Sequence, residues 1–258
     1  MYCETYGSPH LPVLVLLHGG GLAPWSLRPV ANLLQTSYYV VLPAIDGHGV
    51  AAEDDFISIQ AFARKVITYI DEHFNGRIHA LGGLSLGAQI AVEILAQRTD
   101  IAAYALIESA LVCPVLGIRT LAAPIYRMCY GLIRHRWFSR IQASALNLPQ
   151  EFFEDYYQDS KAFSEASLIA VAVSNGTYTV PASWSRVQAS VLIIVGGREI
   201  HRIKKSARIL HENLQTSRVY EESGLMHGEL SLAMYRRYAS ILLDWCRIAT
   251  EACIQKKM

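Results

Sequence analysis

Ser85 lies in the segment Gly83-Leu84-Ser85-Leu86-Gly87, in which glycines stand two residues before and two residues after the serine. This GxSxG spacing is typical of a sharp turn between a strand and a helix, because the glycines let neighbouring backbone segments approach closely. A serine on such a turn is a candidate nucleophile. The alternative is a small residue in a glycine-rich bend. An apolar run before Ser85 and a helical pattern after it favour the nucleophile.

Two other segments contain groups that a serine nucleophile requires. A serine hydroxyl attacks at neutral pH only when an imidazole accepts its proton and a carboxylate orients the ring. His227 lies in a loop between the last predicted strand and the long C-terminal helix, although a lone loop histidine is more often simply solvated. The segment LLHGGG, residues 16–21, offers unblocked N–H groups that could stabilise a developing oxyanion. The alternative for this segment is a flexible glycine turn.

The elements that would position these residues are visible as short apolar runs. They are residues 13–17, 38–43, 78–83, 104–109 and 191–195. Each run is continuous rather than alternating in polarity, which is typical of strands covered on both faces. Helical spacing of apolar residues separates several of the runs, as in residues 59–74. This alternation predicts an α/β domain with a mostly parallel, doubly wound sheet.

The alternation is interrupted between Pro114 and about Pro181, where the sequence is aromatic-rich and helical in pattern. We therefore predict a core domain of residues 1–113 and 182–258, with residues 114–181 as a helical cap insertion. Six of the aromatic residues in the insertion are interpreted as apolar area, most of it for the core of the insertion and a minority for a substrate pocket. The substrate-binding candidates among these six are Tyr126, Tyr130, Trp137 and Phe138, and the remaining two of the six are Phe152 and Phe153.

The charges of the insertion are separated along the chain. Residues 110–150 contain no acidic residue and five arginines, which are Arg119, Arg127, Arg134, Arg136 and Arg140. The next fifteen residues contain Glu151, Glu154, Asp155, Asp159 and Glu165. The favoured interpretation is that oppositely charged helix faces contact each other or water. The alternative is that one or two arginines face the pocket and bind an anionic substrate group.

The composition excludes several other classes of protein. The chain has 258 residues, 52% of them hydrophobic, and a net charge of +1, which gives no strong field to attract nucleic acid or an anionic membrane. No run approaches the ~18 apolar residues of a membrane span, and the first residues do not resemble a signal peptide. We therefore expect a cytoplasmic protein. The five cysteines are scattered without CxxC spacing, so we expect neither disulfides nor a metal site.

Taken in order, these motifs resemble those of the α/β-hydrolases over nearly the whole chain. The resemblance implies an oxyanion hole formed by the N–H groups of Leu86 and Gly20, with Gly19 and Gly21 as alternatives. About a dozen residues precede the first apolar run, which are too few for the two leading strands usual in that family. The N-terminal edge of the sheet is therefore expected to be reduced. In the segment AIDGHG, residues 44–49, His48 is interpreted as a structural loop residue.

The resemblance leaves two candidates for the acid that orients His227. Glu199 occupies the aspartate position of the family's GxxD segment, and Gly196 matches its glycine. Glu108 is the rival, because it ends the strand after the helix that follows Ser85, a position from which some family members reach the histidine. Position alone favours Glu199.

The combined hypothesis is a serine hydrolase that cleaves a small or medium carboxylic ester or thioester through an acyl-enzyme intermediate, without a metal or organic cofactor. Its expected partner is a small-molecule substrate and not nucleic acid. The first alternative is a carbon–carbon bond hydrolase or lyase of the same fold that acts on a carboxylate-bearing substrate. The second is a ligand-sensing protein that keeps the fold but is not an enzyme.

Overall fold

Seven strands form one sheet, in the order β1-β3-β2-β4-β5-β6-β7. The structure is a computed structural model that describes the backbone of residues 1–255 and the side chains of residues 1–247. The strands are β1 (Cys3–Tyr6), β2 (Val13–Leu17), β3 (Tyr39–Pro43), β4 (Ile78–Leu84), β5 (Ala102–Glu108), β6 (Ser190–Gly196) and β7 (Ser217–Glu222). Among the strand pairs of the described residues, only β1 and β3 are antiparallel. The predicted mostly parallel sheet is confirmed.

Helices cover both faces of this sheet. They are α1 (Arg28–Leu34), α2 (Ile59–Phe74), α3 (Leu86–Gln97), α4 (Ile118–Cys129), α5 (Arg136–Ala145), α6 (Phe153–Ala162), α7 (Glu165–Thr177), α8 (His201–Glu212), α9 (Glu229–Leu232) and α10 (Tyr235–Gln255). Helices α1 and α10 pack on one face, and α2, α3 and α8 pack on the other. The doubly wound architecture is therefore confirmed. Within the described residues, no helix combines the length and apolar character needed to cross a membrane.

Strand β2 shows why the predicted strands are continuously apolar. Leu14 and Leu16 belong to the buried cluster that includes α1 and α10, whereas Val15 and Leu17 belong to the cluster that includes α2 and α3. Successive side chains of a strand point to opposite faces of the sheet. Because both faces are covered by helices, every position must be apolar.

The N-terminal edge of the sheet is reduced, as expected. One strand, β1, precedes β2, and it pairs with β3 in an antiparallel register that joins Cys3 to Pro43. The sequence did not predict β1 as a strand, because its four residues are half-buried or exposed and lack an apolar pattern.

The segment between β5 and β6 contains four helices, α4 to α7, and no strand in any of its residues, all of which are described. Its helical character agrees with the sequence pattern. The boundaries of a cap at residues 114 and 181 remain a prediction.

The parallel strands bring the chemistry-bearing residues to one edge of the sheet. Ser85 follows β4, Glu108 ends β5, and Glu199 follows β6. Carboxyl ends of neighbouring parallel strands open on the same edge, which is where ligands bind in open α/β sheets. The order β4-β5-β6 in the sheet therefore places all three residues within reach of one loop.

Candidate active site

Ser85 occupies a strained turn between β4 and α3. Its φ of 54° and ψ of −111° are values that residues with a side chain rarely adopt. Gly83 and Gly87 make the turn sterically feasible. A Cβ atom on Gly87 would overlap backbone atoms at the end of β2, and a Cβ atom on Gly83 would overlap the backbone of Gly87. The glycines thus allow α3 to begin directly against the sheet.

Ser85, His227 and Glu199 form a continuous chain of hydrogen bonds. The Ser85 Oγ atom lies 2.9 Å from Nε2 of His227. The Nδ1 atom of the same ring lies 2.8 Å from Oε2 of Glu199. Because the carboxylate can only accept, it favours the tautomer with the proton on Nδ1, which leaves Nε2 free to accept the serine proton. The histidine side chain is 34% exposed, whereas the glutamate side chain is 1% exposed.

Glu199 is held by two further donors. The Ser109 hydroxyl donates to Oε1 at 2.6 Å, and the Gly196 N–H donates to the same oxygen at 2.9 Å. Burial raises the pKa of Glu199, but the hydrogen bonds from His227, Ser109 and Gly196 outweigh burial and hold its pKa below the ordinary 4.5. The carboxylate is therefore ionised at neutral pH. Ser109 was not among the residues singled out in the sequence, because no motif marks it.

Glu108, the rival acid, faces the same region without contacting the His227 ring by a hydrogen bond. Its Oε1 atom accepts the Ser231 backbone N–H at 3.3 Å, and its buried Oε2 atom has no hydrogen-bond partner in the structure. Burial raises the pKa of Glu108 to about 7, although hydrogen bonds from Ser231 and the charge of His227 act in the opposite direction. Of the two glutamates, only Glu199 bonds to the ring.

The backbone groups expected to form an oxyanion hole lie beside Ser85. Leu86 is the first residue of α3, so its N–H has no partner within the helix. Gly20 lines both of the cavities that reach Ser85, whereas Gly19 lines only the smaller one and Gly21 only the larger one. This geometry favours Gly20 among the three glycines.

The His18 ring forms a hydrogen bond with the backbone of the glycine segment. Its Nδ1 atom lies 2.9 Å from the Gly19 carbonyl, and its Nε2 atom accepts the Ile45 N–H at 3.1 Å, so the ring is neutral with one donor and one acceptor. Burial lowers the pKa of His18 to about 3. The sequence offered His18 within LLHGGG, but no role was predicted for it.

His48, which follows β3, is also buried. Its Nδ1 atom lies 2.9 Å from the Asp46 carbonyl, and burial lowers the pKa of the ring to about 4.

A cavity of about 500 Å³ extends from Ser85 between the sheet and helices α4 to α7. None of its lining residues, all within the described part of the chain, is charged. The lining consists of Gly20, Gly21, Ser85, Val115, Ile118, Tyr126, Ile133, Gln142, Ala145, Leu146, Tyr156, Ser160, Phe163, Leu168, Val171, Ala172, Asn175 and Gly176. A second cleft of about 20 Å³ lies on the His227 side of Ser85 and is lined mainly by leucines and glycines.

The aromatic substrate-binding candidates divide between the cavity and other environments. Tyr126 lines the cavity. Tyr130, Trp137 and Phe138 do not line it, which corrects the expectation for these three. The Tyr130 hydroxyl donates to the Phe163 carbonyl at 2.8 Å. Trp137 points to solvent, with 56% of its surface exposed, and Phe138 packs edge-on against it. The sequence missed Tyr156 and Phe163, which do line the cavity.

The arginines of the helical segment lie outside the cavity. Arg136 pairs with Glu154 at 2.6 Å, and Arg127 pairs with Glu165 at 3.3 Å, both at exposed positions. These pairs match the favoured interpretation, in which oppositely charged helix faces contact each other. None of the five arginines of residues 110–150 lines the large cavity.

Comparison with known proteins identifies the family. The sequence profile of the Alpha/beta hydrolase family matches residues 14–237. No curated protein matches the chain.

Solved structures resemble the fold over nearly the whole chain. An α/β-hydrolase family protein from Desulfitobacterium hafniense has a TM-score of 0.77 at 18% identity, with 94% of this chain and 99% of that chain covered. A thermophilic esterase from Thermogutta terrifontis has a TM-score of 0.75 at 17% identity, with 96% and 93% covered. A carboxylesterase structure from Nitrososphaera gargenis has a TM-score of 0.77 at 15% identity, with 97% and 95% covered. Because residues 14–237 make up most of the chain, this protein belongs to the alpha/beta hydrolase family.

Proposed function

We propose that the protein is a serine hydrolase that cleaves a small or medium carboxylic ester or thioester through an acyl-enzyme intermediate, without a metal or organic cofactor. The observation that carries this proposal is the hydrogen-bonded chain from Ser85 through His227 to Glu199 at the end of an uncharged cavity. Titratable groups joined in this order are the arrangement that activates a serine hydroxyl.

Each residue has a distinct role in the proposed reaction. Ser85 Oγ attacks the carbonyl carbon while Nε2 of His227 takes its proton, and the N–H groups of Leu86 and Gly20 stabilise the oxyanion. The proton then passes from Nε2 to the leaving oxygen or sulfur, and the acyl group stays on Ser85. A water molecule then attacks the acyl carbon while Nε2 of His227 takes its proton. The proton returns to Ser85 Oγ, and the carboxylic acid is released. Glu199 stabilises the imidazolium throughout without itself becoming protonated.

The two cavities suggest how the substrate is oriented. The leaving group must lie next to His227, because that ring donates its proton. The acyl group therefore extends into the cavity of about 500 Å³, whose uncharged lining suits an apolar acyl chain. The cleft of about 20 Å³ beside His227 is large enough for one water molecule, which suits the hydrolytic step. Because no arginine lines the large cavity, the lyase alternative for an anionic substrate gains no support.

The decisive experiment is covalent labelling with a fluorophosphonate, followed by turnover of chromogenic esters with acyl chains of increasing length. We expect wild-type protein to be labelled, and Ser85→Ala to lose both labelling and at least ~10³-fold in turnover with nearly unchanged thermal stability. His227→Ala should behave similarly. Ser37→Ala is the matched control, because it alters an exposed serine in the loop between α1 and β3. Labelling of the Ser85→Ala protein at the wild-type level would remove the basis of the proposal.

A further inference from the structure

Exposed apolar side chains are concentrated on the helical segment. Fifteen large apolar side chains are exposed in the described part of the chain, and six of them lie between residues 116 and 141. We call these six the apolar cap face. They are Leu116, Leu121, Ile125, Met128, Trp137 and Ile141. Exposed apolar side chains concentrated in one segment mark an interaction site in many soluble proteins.

Helix α4 has one wide apolar face, and only part of that face is covered. Ile118 and Tyr126 line the cavity. Leu121, Ile125 and Met128 recur at spacings of four and three residues, and they continue the face that holds Ile118, because Ile118 lies three residues before Leu121 and seven before Ile125. Their exposed fractions are 54%, 48% and 79%. The polar residues Thr120 and Arg127 lie on the opposite face of α4. Because the apolar face of an amphipathic helix is normally buried, the three exposed side chains lack the covering that their position requires.

Helix α5 carries further exposed apolar side chains on another border of the same cavity. Trp137 and Ile141 lie one turn apart and are 56% and 59% exposed. Ala145, one further turn along the same face, lines the cavity together with Ile118 and Tyr126 of α4. The apolar cap face therefore flanks the cavity that reaches Ser85.

Positive charge accompanies the apolar cap face, although the whole chain has a net charge of only +1. Residues 110–150 contain five arginines and no acidic residue. Arg127 and Arg136 pair with acids of α7 and α6. The other three form no salt bridge within the described residues, and they are Arg119, Arg134 and Arg140. The Arg140 guanidinium lies 5.3 Å from the centre of the Phe153 ring, which leaves Arg119 and Arg134 to meet an anionic surface.

We propose that α4 and α5 dock on the surface of an anionic lipid bilayer through the apolar cap face. Leucine, isoleucine, methionine and tryptophan side chains beside arginines are the composition of helices that lie in the headgroup region, where the apolar side chains enter the acyl boundary and the arginines meet lipid phosphates. The uncharged cavity beside this face is suited to acyl chains that arrive from the bilayer. The docking itself goes beyond the proposed hydrolase activity and does not depend on it.

Trp137 provides a direct probe of this docking. The other three tryptophans are buried, with exposed fractions of 6% for Trp25, 0% for Trp184 and 8% for Trp245. A change in quenching by acrylamide therefore reports on Trp137 and hence on the apolar cap face. Ser85→Ala protein is mixed with vesicles of phosphatidylcholine alone or with phosphatidylglycerol added, so that no lipid is consumed. We expect a blue shift and reduced quenching with the anionic vesicles, and a much weaker response with the neutral ones.

Variants in the same Ser85→Ala protein separate docking from folding. The double variant Leu121→Glu with Met128→Glu should bind anionic vesicles at least ~tenfold more weakly, because both side chains would have to carry charge into the acyl boundary. Leu243→Glu, an exposed leucine on α10, is the matched control and should bind like the parent. Replacement of Arg119 or Arg134 by Gln should weaken binding to anionic vesicles by about fivefold each, since one basic residue near such a surface contributes about 1 kcal/mol.

Three results would overturn the proposal. One is the absence of any Trp137 response to anionic vesicles. Another is an equal loss of binding in the Leu243→Glu control. The third is a blue shift that rises with protein concentration in the absence of lipid, together with dimerisation in sedimentation, which would assign the apolar cap face to a second copy of the chain.

Discussion

Replacement of Glu108 by glutamine should make the protein more stable than wild type at alkaline pH but not at acidic pH. The Glu108 carboxyl is 2% exposed, and one of its oxygens has no partner, so its ionised form is poorly solvated in the folded protein. Burial accordingly raises its pKa from 4.5 to about 7. Glutamine has nearly the same shape and keeps an oxygen that can accept the Ser231 N–H, but it cannot ionise.

The sign and size of the effect follow from proton linkage. Because the folded state of wild type holds the Glu108 proton more tightly than the unfolded state, the free energy of unfolding falls as pH rises from about 4.5 to about 7. The advantage of Glu108→Gln over wild type should therefore grow by about 2 kcal/mol between about pH 5.5 and pH 8. That difference corresponds to about 4–8 °C in Tm for a chain of this size. His18 and His48 titrate in both proteins, so their contributions cancel in the comparison.

Urea unfolding of both proteins over this pH range measures the difference directly. Glu72→Gln, which alters an exposed carboxylate on α2, serves as the control and should show no such dependence. If the difference between Glu108→Gln and wild type were constant with pH, or decreased as pH rises, Glu108 would not be a buried acid with a raised pKa. In either case the two carboxyl groups near His227 would need different roles from those argued above.

Three other outcomes concern the residues around the site. Glu199→Gln should lower kcat for ester hydrolysis by at least ~10²-fold, because the amide can hold the wrong imidazole tautomer and cannot stabilise the imidazolium. Glu199→Asp should keep part of the activity, and Glu108→Gln should lower kcat by less than ~tenfold. The reverse ranking in steady-state assays would move the acid to β5. Ser109→Ala should lower kcat by about tenfold with little change in KM, since it removes a charge-assisted hydrogen bond to Glu199. An unchanged kcat would show that this hydrogen bond is dispensable. Arg136→Ala should change KM for neutral and carboxylate-bearing esters alike by less than ~threefold, because its ion pair is exposed; a selective loss for the anionic ester would contradict this placement.

The sequence predicted the sheet and the turn at Ser85 because their signals are local. Continuous apolar runs identify strands covered on both faces, and two glycines around a serine identify one kind of turn. The choice between Glu199 and Glu108 could not be made with the same clarity, because β5 and β6 are parallel neighbours that end at the same edge. What distinguishes the two carboxyl groups in the structure is a set of contacts between distant segments. Ser109 and Gly196 donate to Glu199, whereas Glu108 is left with Ser231.

The helical segment was harder to predict for a different physical reason. An amphipathic pattern tells which face of a helix is apolar, but not which part of a wide apolar face contacts the substrate. The apolar face of α4 extends from Met128 to Tyr126, so the spacing alone does not say which of its edges faces the cavity. The structure turns Tyr126 inward and leaves Met128 and Trp137 in solvent. The property that limited the prediction, a wide apolar face that is only partly covered, is therefore also the property from which the lipid-docking surface is inferred.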